Sequence, residues 1–162
     1  MLEQLPCYAR PFRANNLLWR SAGQHDGVQS HRLKSAMMLL SDIRELLRCE
    51  VFAGEPSLGK VQIECGCASD LMSDVLAFSR SGAVLLTGLA NVQTIRTAFI
   101  AEISAVIFVR GKRPNAAVKA LADEKRIPLL GSPFSMYEAC GLLYRTGLPS
   151  TMTCRVSDEH HG

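Results

Sequence analysis

The sequence predicts a single α/β domain, with a mainly parallel sheet of about four to five strands and helices on both faces. Three observations lead there. Residues 83–86 and 105–109 are short, wholly apolar runs, as in strands covered on both faces. A segment of helical spacing separates them, and further strand-like and helix-like runs alternate on either side. A chain of 162 residues is also long enough to bury one continuous core without disulfides or metals. Parallel strands joined by crossover helices bring their carboxyl ends to one edge, where α/β proteins bind ligands. Here the two central strands end in polar turns, Thr87-Gly88 and Arg110-Gly111-Lys112.

The elements follow in order. Leu40, Ile43, Leu46 and Leu47 at helical spacing predict a helix over 41–48, with Ser41 or Asp42 as its cap. Residues 49–52 suit a short strand before Gly54-Glu55-Pro56. Residues 60–65 alternate Val61 and Ile63 with polar neighbours, and Gly66 is expected to break that strand. Ser69 caps a helix through Leu71, Met72, Val75, Leu76 and Phe78, with Asp70 and Asp74 at its positive end. Asn91 caps the next, which presents Val92, Ile95, Ala98 and Phe99 on one side. Pro114 opens a helix running to about Lys125 that buries Val118, Leu121 and Ala122. Residues 127–130 form another buried strand. Ser132-Pro133 then starts the last helix, carrying Met136, Tyr137, Cys140 and Leu143 or Tyr144 until Gly147 and Pro149 stop it.

Charge and composition bound the flanks. Residues 1–37 hold five basic groups against two acidic ones, and the rest holds thirteen of each, so the net +3 belongs to the amino-terminal segment. A neutral body does not suit nucleic acid, which calls for a concentrated basic face. Residues 1–37 lack apolar periodicity and are expected to be a poorly ordered extension, either a genuine flexible arm or residues upstream of a native translation start at Met37-Met38. The domain is expected over 38–149, followed by a flexible tail over 150–162. Without a secretory pattern or a bilayer-length apolar run, a cytoplasmic protein with no membrane partner is expected. The six cysteines then read as thiols.

Thr87, Gly88 and Asn91 at the end of one core strand, and Arg110, Gly111 and Lys112 at the end of its neighbour, suit an anion or nucleotide cradle of backbone amides and cations. Equally, they suit turn glycines, a helix cap and solvated charge. Arg96, about one and a half turns into its helix, reaches that edge or covers apolar surface with its stem. Walker A and Rossmann signatures are absent, so an NTPase or dinucleotide dehydrogenase is not indicated. Cys65-Gly66-Cys67 offers two thiolates for a metal or iron–sulfur site, where closed sites use four ligands; the other reading is small buried thiols. Residues 38–150 contain no histidine, the commonest general base, which points away from catalysis. No cofactor is expected.

Four segments carry a family resemblance: Cys67-Ala68-Ser69-Asp70-Leu71-Met72-Ser73-Asp74-Val75; Leu86-Thr87-Gly88 with Asn91 and Ile95-Arg96-Thr97-Ala98; Val109-Arg110-Gly111-Lys112-Arg113-Pro114; and Ser135-Met136-Tyr137-Glu138-Ala139-Cys140-Gly141. Over residues 38–148 the chain resembles the DRTGG domain, in particular the stand-alone type encoded beside iron-only hydrogenase genes. The resemblance implies an α/β domain like the one joined to phosphotransacetylases and some CBS-domain proteins, with an accessory or regulatory role and no established reaction. It further implies a small anionic ligand or a redox-enzyme partner of hydrogenase type. A homodimer is the default expectation for a small self-assembling module. The chain departs from the family's letters, with Gly88-Leu89-Ala90-Asn91 where many members have Gly-Asp-Arg, and Arg110-Gly111-Lys112 in place of Thr-Gly-Gly.

Overall fold

Strands β5 (Ala83–Thr87) and β6 (Ala105–Phe108) have no exposed residue, and everything else is layered on them. The computed structural model describes residues 37–152. Its main sheet has the order β2-β7-β6-β5-β4, where β2 is Glu50–Ala53, β4 is Cys65–Ala68 and β7 is Leu129–Gly131. Strands β4 to β7 are mutually parallel, and β2 joins β7 antiparallel with Glu50 opposite Gly131. A small ladder pairs β1 (Met38–Leu39) with β3 (Gln62–Ile63).

Side-chain alternation splits the core in two. Ala83, Leu85, Val106 and Phe108 face α2 (Met72–Phe78), α3 (Val92–Ile100) and α4 (Ala116–Lys125), which bury Val75, Ile95, Ala98, Val118 and Ala122. Val84, Leu86, Ala105 and Ile107 face α1 (Leu40–Leu46) and α5 (Met136–Arg145), which bury Leu40, Ile43, Ala139 and Leu143. The three crossover helices thus share one face, as right-handed connections between successive neighbouring strands require.

Several boundaries differ from expectation, each for a local reason. Residues 60–65 are not one strand ended by Gly66. They divide into β3 and β4, and β4 runs through Gly66 because its outer edge is bonded: the Gly66 amide donates to the Pro149 carbonyl (2.8 Å), and the Thr151 amide donates to that of Gly66 (3.1 Å). Ser150 and Thr151, expected within the tail, therefore pair with the sheet edge. The expectations for residues 1–36 and 153–162 lie outside the described residues.

Pro114 and Pro133 precede their helices instead of opening them. Asn115 is the cap of α4, accepting from the Val118 amide (3.0 Å), and Ser135 forms a full capping box with Glu138 on α5. Phe99, expected in the core, is half exposed under the Lys125 ammonium, because the buried stripe of α3 is Thr94, Ile95, Thr97 and Ala98. Tyr137 and Tyr144 lie seven residues apart, on the side of α5 away from Ala139 and Leu143, and are exposed. Among the described residues, no helix is long and apolar enough to cross a membrane.

Because Ile107 is wholly buried between both helical layers, Ile107→Ala is expected to cost about 2–5 kcal/mol in urea unfolding. Loss of the α4 cap in Asn115→Ala is expected to cost about 1 kcal/mol. Equal losses at the two positions would contradict this assignment of core and cap.

Candidate functional site

At the carboxyl edge, the segments following the parallel strands stand in a row: Asp70 beyond β4, Gly88 beyond β5, Arg110 beyond β6 and Ser132 beyond β7. Antiparallel β2 brings its amino end to the same edge, adding Arg48 and Glu50. The row divides into an ion-paired cluster over β4, β5 and β6 and a cleft over β6, β7 and β2.

The cluster is built on Asp70. One carboxylate oxygen accepts from the Thr87 hydroxyl (2.8 Å) and from the Gly88 amide (2.6 Å), and the other pairs with Arg110 Nη2 (3.3 Å). The Thr87 hydroxyl accepts in turn from the Leu89 amide (3.2 Å). Partial desolvation pushes the Asp70 carboxyl up. The bonds from Gly88 and Thr87 and the Arg110 charge outweigh it and hold the carboxyl below its ordinary 3.8. A Cβ on Gly88 would lie 1.8 Å from Arg110 Nη2, so the guanidinium crosses directly over this glycine. Arg110 is itself in the left-handed region (φ 62°), followed by Gly111 (φ 63°). The other non-glycine residues with positive φ among those described, Arg48, Glu102 and Arg126, all follow the last turn of a helix; Arg110 alone follows a strand. Its amide donates to the Phe134 carbonyl (2.7 Å), which anchors this costly conformation to the loop before α5.

The neighbouring cleft has a volume of about 290 Å³. Phe52 and Pro133 supply apolar wall, Arg48, Lys112 and Arg113 supply positive charge, and Glu50 supplies one negative charge. Arg113 pairs with Glu50 at 2.6 Å, so these two charges cancel locally. Lys112 makes no ion pair or side-chain hydrogen bond among the described residues, and Arg48 stands over the Phe134 ring, 5.8 Å from its centroid. The β7 end is a glycine because a Cβ on Gly131 would come within 2.5 Å of the Phe52 ring edge. Behind it, the buried Ser132 hydroxyl donates to the Leu47 carbonyl (2.7 Å) and accepts from the Phe134 amide (3.3 Å), fixing the floor to α1.

The residues singled out in the sequence thus separate. Thr87, Gly88 and Arg110 meet, but around Asp70, whose carboxylate already takes the Gly88 amide. Gly111 and Lys112 line the cleft. Asn91 caps α3, accepting from the Thr94 amide (3.0 Å). Arg96 is exposed on α3 and makes no ion pair or hydrogen bond with the others. Asp70, expected as a helix-start acid, lies before α2 and is committed to the β5 turn. Its role had a signal: residues just past any parallel strand belong to the edge, and the Gly66 break concealed that residues 65–68 are such a strand.

Cys65 and Cys67 do not form a metal centre with other described side chains. No group of three or more described His, Cys, Asp or Glu residues is placed to hold an ion. Both thiols sit two apart on edge strand β4, and burial pushes each up, as it pushes Cys49 up to about 12, so in the free protein they stand as neutral thiols.

Since the folded state lowers the Asp70 pKa, its contribution is present above about pH 4 and is lost as pH falls through the folded value. Asp70→Asn is expected to lose about 1 kcal/mol near neutral pH, modest because both members of the Arg110 pair are about half exposed. The gap from the parent protein should narrow on acidification below 3.8 in urea melts. A gap that widens in acid would contradict the assignment.

No protein-family model matches the chain, nor does any curated protein. Among solved structures, the chain is similar to the crystal structure of the CBS and DRTGG domains of the regulatory region of Clostridium perfringens pyrophosphatase, complexed with its activator diadenosine tetraphosphate. The TM-score is 0.57 at 18% identity over 70% of this chain. The chain spans 50% of the length of that one, and at this identity the likeness is one of fold. The α/β fold built on β4 to β7 is therefore one shared with a regulatory region that includes a DRTGG domain.

Proposed function

We propose that the chain is a DRTGG-type regulatory or accessory module, without catalytic activity of its own, that binds a small anionic ligand at the carboxyl edge of its parallel sheet. The observation that carries this reading is the charge at that edge: among the described residues, Lys112 and Arg48 face a cleft whose one lining carboxylate, that of Glu50, is ion-paired with Arg113. The fold shared with a regulatory region crystallised with a nucleotide activator supports it. A sensing role asks for no general base, in keeping with the lack of histidine over residues 38–150. The Asp70–Arg110 pair then serves to hold the β6 turn in place, so that Gly111 and Lys112 reach the cleft. A redox-enzyme partner of hydrogenase type and a homodimer extend the proposal on the family resemblance alone.

The test is thermal denaturation of the full chain with inorganic phosphate, acyl phosphates, mononucleotides and diadenosine tetraphosphate. A ligand of the native state at about a hundredfold excess over its Kd is expected to add roughly 2.7 kcal/mol of apparent stability. The shift should shrink as salt screens the edge cations. No shift with any of these anions would overturn the ligand reading.

A further inference from the structure

The cleft between β2, β6 and β7 has the parts of a site for one specific class of anion. We infer that it receives a phosphate monoester carrying a flat ring, of the size of a nucleoside monophosphate, with the phosphate on Lys112 and Arg48 and the ring against Phe52. This rests on the anion-binding reading above and names the ligand class and the place.

Charge selects the phosphate. With Glu50 held by Arg113 at 2.6 Å, the two remaining cations of the lining match a dianion better than a monoanion. Arg48 supplies a planar fork of donors and Lys112 a mobile point charge, a combination suited to phosphate oxygens. The alternative anchor on this edge, the Gly88 amide, already donates to Asp70 at 2.6 Å. A ligand at that turn would have to displace an internal carboxylate and the Arg110 pair, whereas one in the cleft displaces neither.

Shape selects the ring and the size. Among the described residues, Phe52 is the one aromatic side chain of the lining, and its ring edge packs where Gly131 lacks a Cβ. Lys119 approaches the Phe52 ring at 5.1 Å from its centroid, which helps to fix its orientation. An aromatic wall beside a cationic end is the arrangement by which bases and their phosphates are held together. A volume of about 290 Å³ is close to the lower bound of ligand sites, roughly 300–1,000 Å³, and matches a ligand of about one nucleotide unit.

Isothermal titration of the full chain with AMP, adenosine and inorganic phosphate tests this. AMP is expected to bind more tightly than either of its halves. Lys112→Ala is expected to weaken AMP at least tenfold, Phe52→Leu to weaken AMP while sparing phosphate, and Lys60→Ala, which removes an exposed charge outside the lining, to change nothing. Circular dichroism confirms that each variant is folded. AMP binding unchanged in Lys112→Ala, or phosphate binding as tightly as AMP, would overturn the inference. Binding of acyl phosphates or diadenosine tetraphosphate, but not AMP, would overturn this inference and leave the anion-binding module standing. Silence from every anion would remove both.

Discussion

The nine residues of two strands, five in β5 and four in β6, lie buried between two helical layers. Their peptide groups are satisfied by one another, by β4 and β7 and by the residues flanking those strands, which makes the parallel ladder obligatory. Apolar side chains must then fill both faces, and polar chemistry is expelled to the strand ends. Thr87, the last residue of β5, is the sole polar residue in the two strands, and its hydroxyl is at once bonded to Asp70. The location of the candidate site is a direct consequence of this constraint.

The edge shows how charge is distributed once it is confined there. Acids and bases alternate along the row, so that Asp70 meets Arg110 and Glu50 meets Arg113. Exposed pairs of this kind add little to stability. Their effect is on position: Asp70 clamps the β5 turn and the left-handed Arg110 together, and Arg113 offsets the charge of Glu50 in the cleft wall. Among the described residues, Lys112 and Arg48 are the lining cations without an ion pair, next to the Phe52 wall.

How legible this was depended on sequence distance. The central strands could be read because burial on both faces leaves an unbroken apolar run, and Asn91 because a cap answers to an amide three residues on. Asn115 and Ser135 were obscured by the prolines before them. Asp70 was misassigned because its partners are 17, 18 and 40 residues away, beyond any local pattern. Phe99 and Tyr137 looked like core by hydrophobicity, yet a helix of nine or ten residues buries only a stripe. Nothing local marks the direction of β2, a four-residue strand, so Arg48, Glu50 and Phe52 could not be placed at the edge before the sheet was seen.

That reversed strand has a kinetic meaning. Glu50 faces Gly131 across the β2–β7 ladder, and Ser132 reaches the Leu47 carbonyl across 85 residues of chain. The cleft is thus closed by contacts of high loop-closure cost, matched in the sheet by the pairing of Gly66 with Ser150 at the far edge, while β4 to β7 are joined by successive local crossovers. A state with the parallel core formed but β2 undocked would be compact and yet have no cleft. Occupancy of the cleft therefore requires the completed sheet, and a ligand there would stabilise the docked β2 strand.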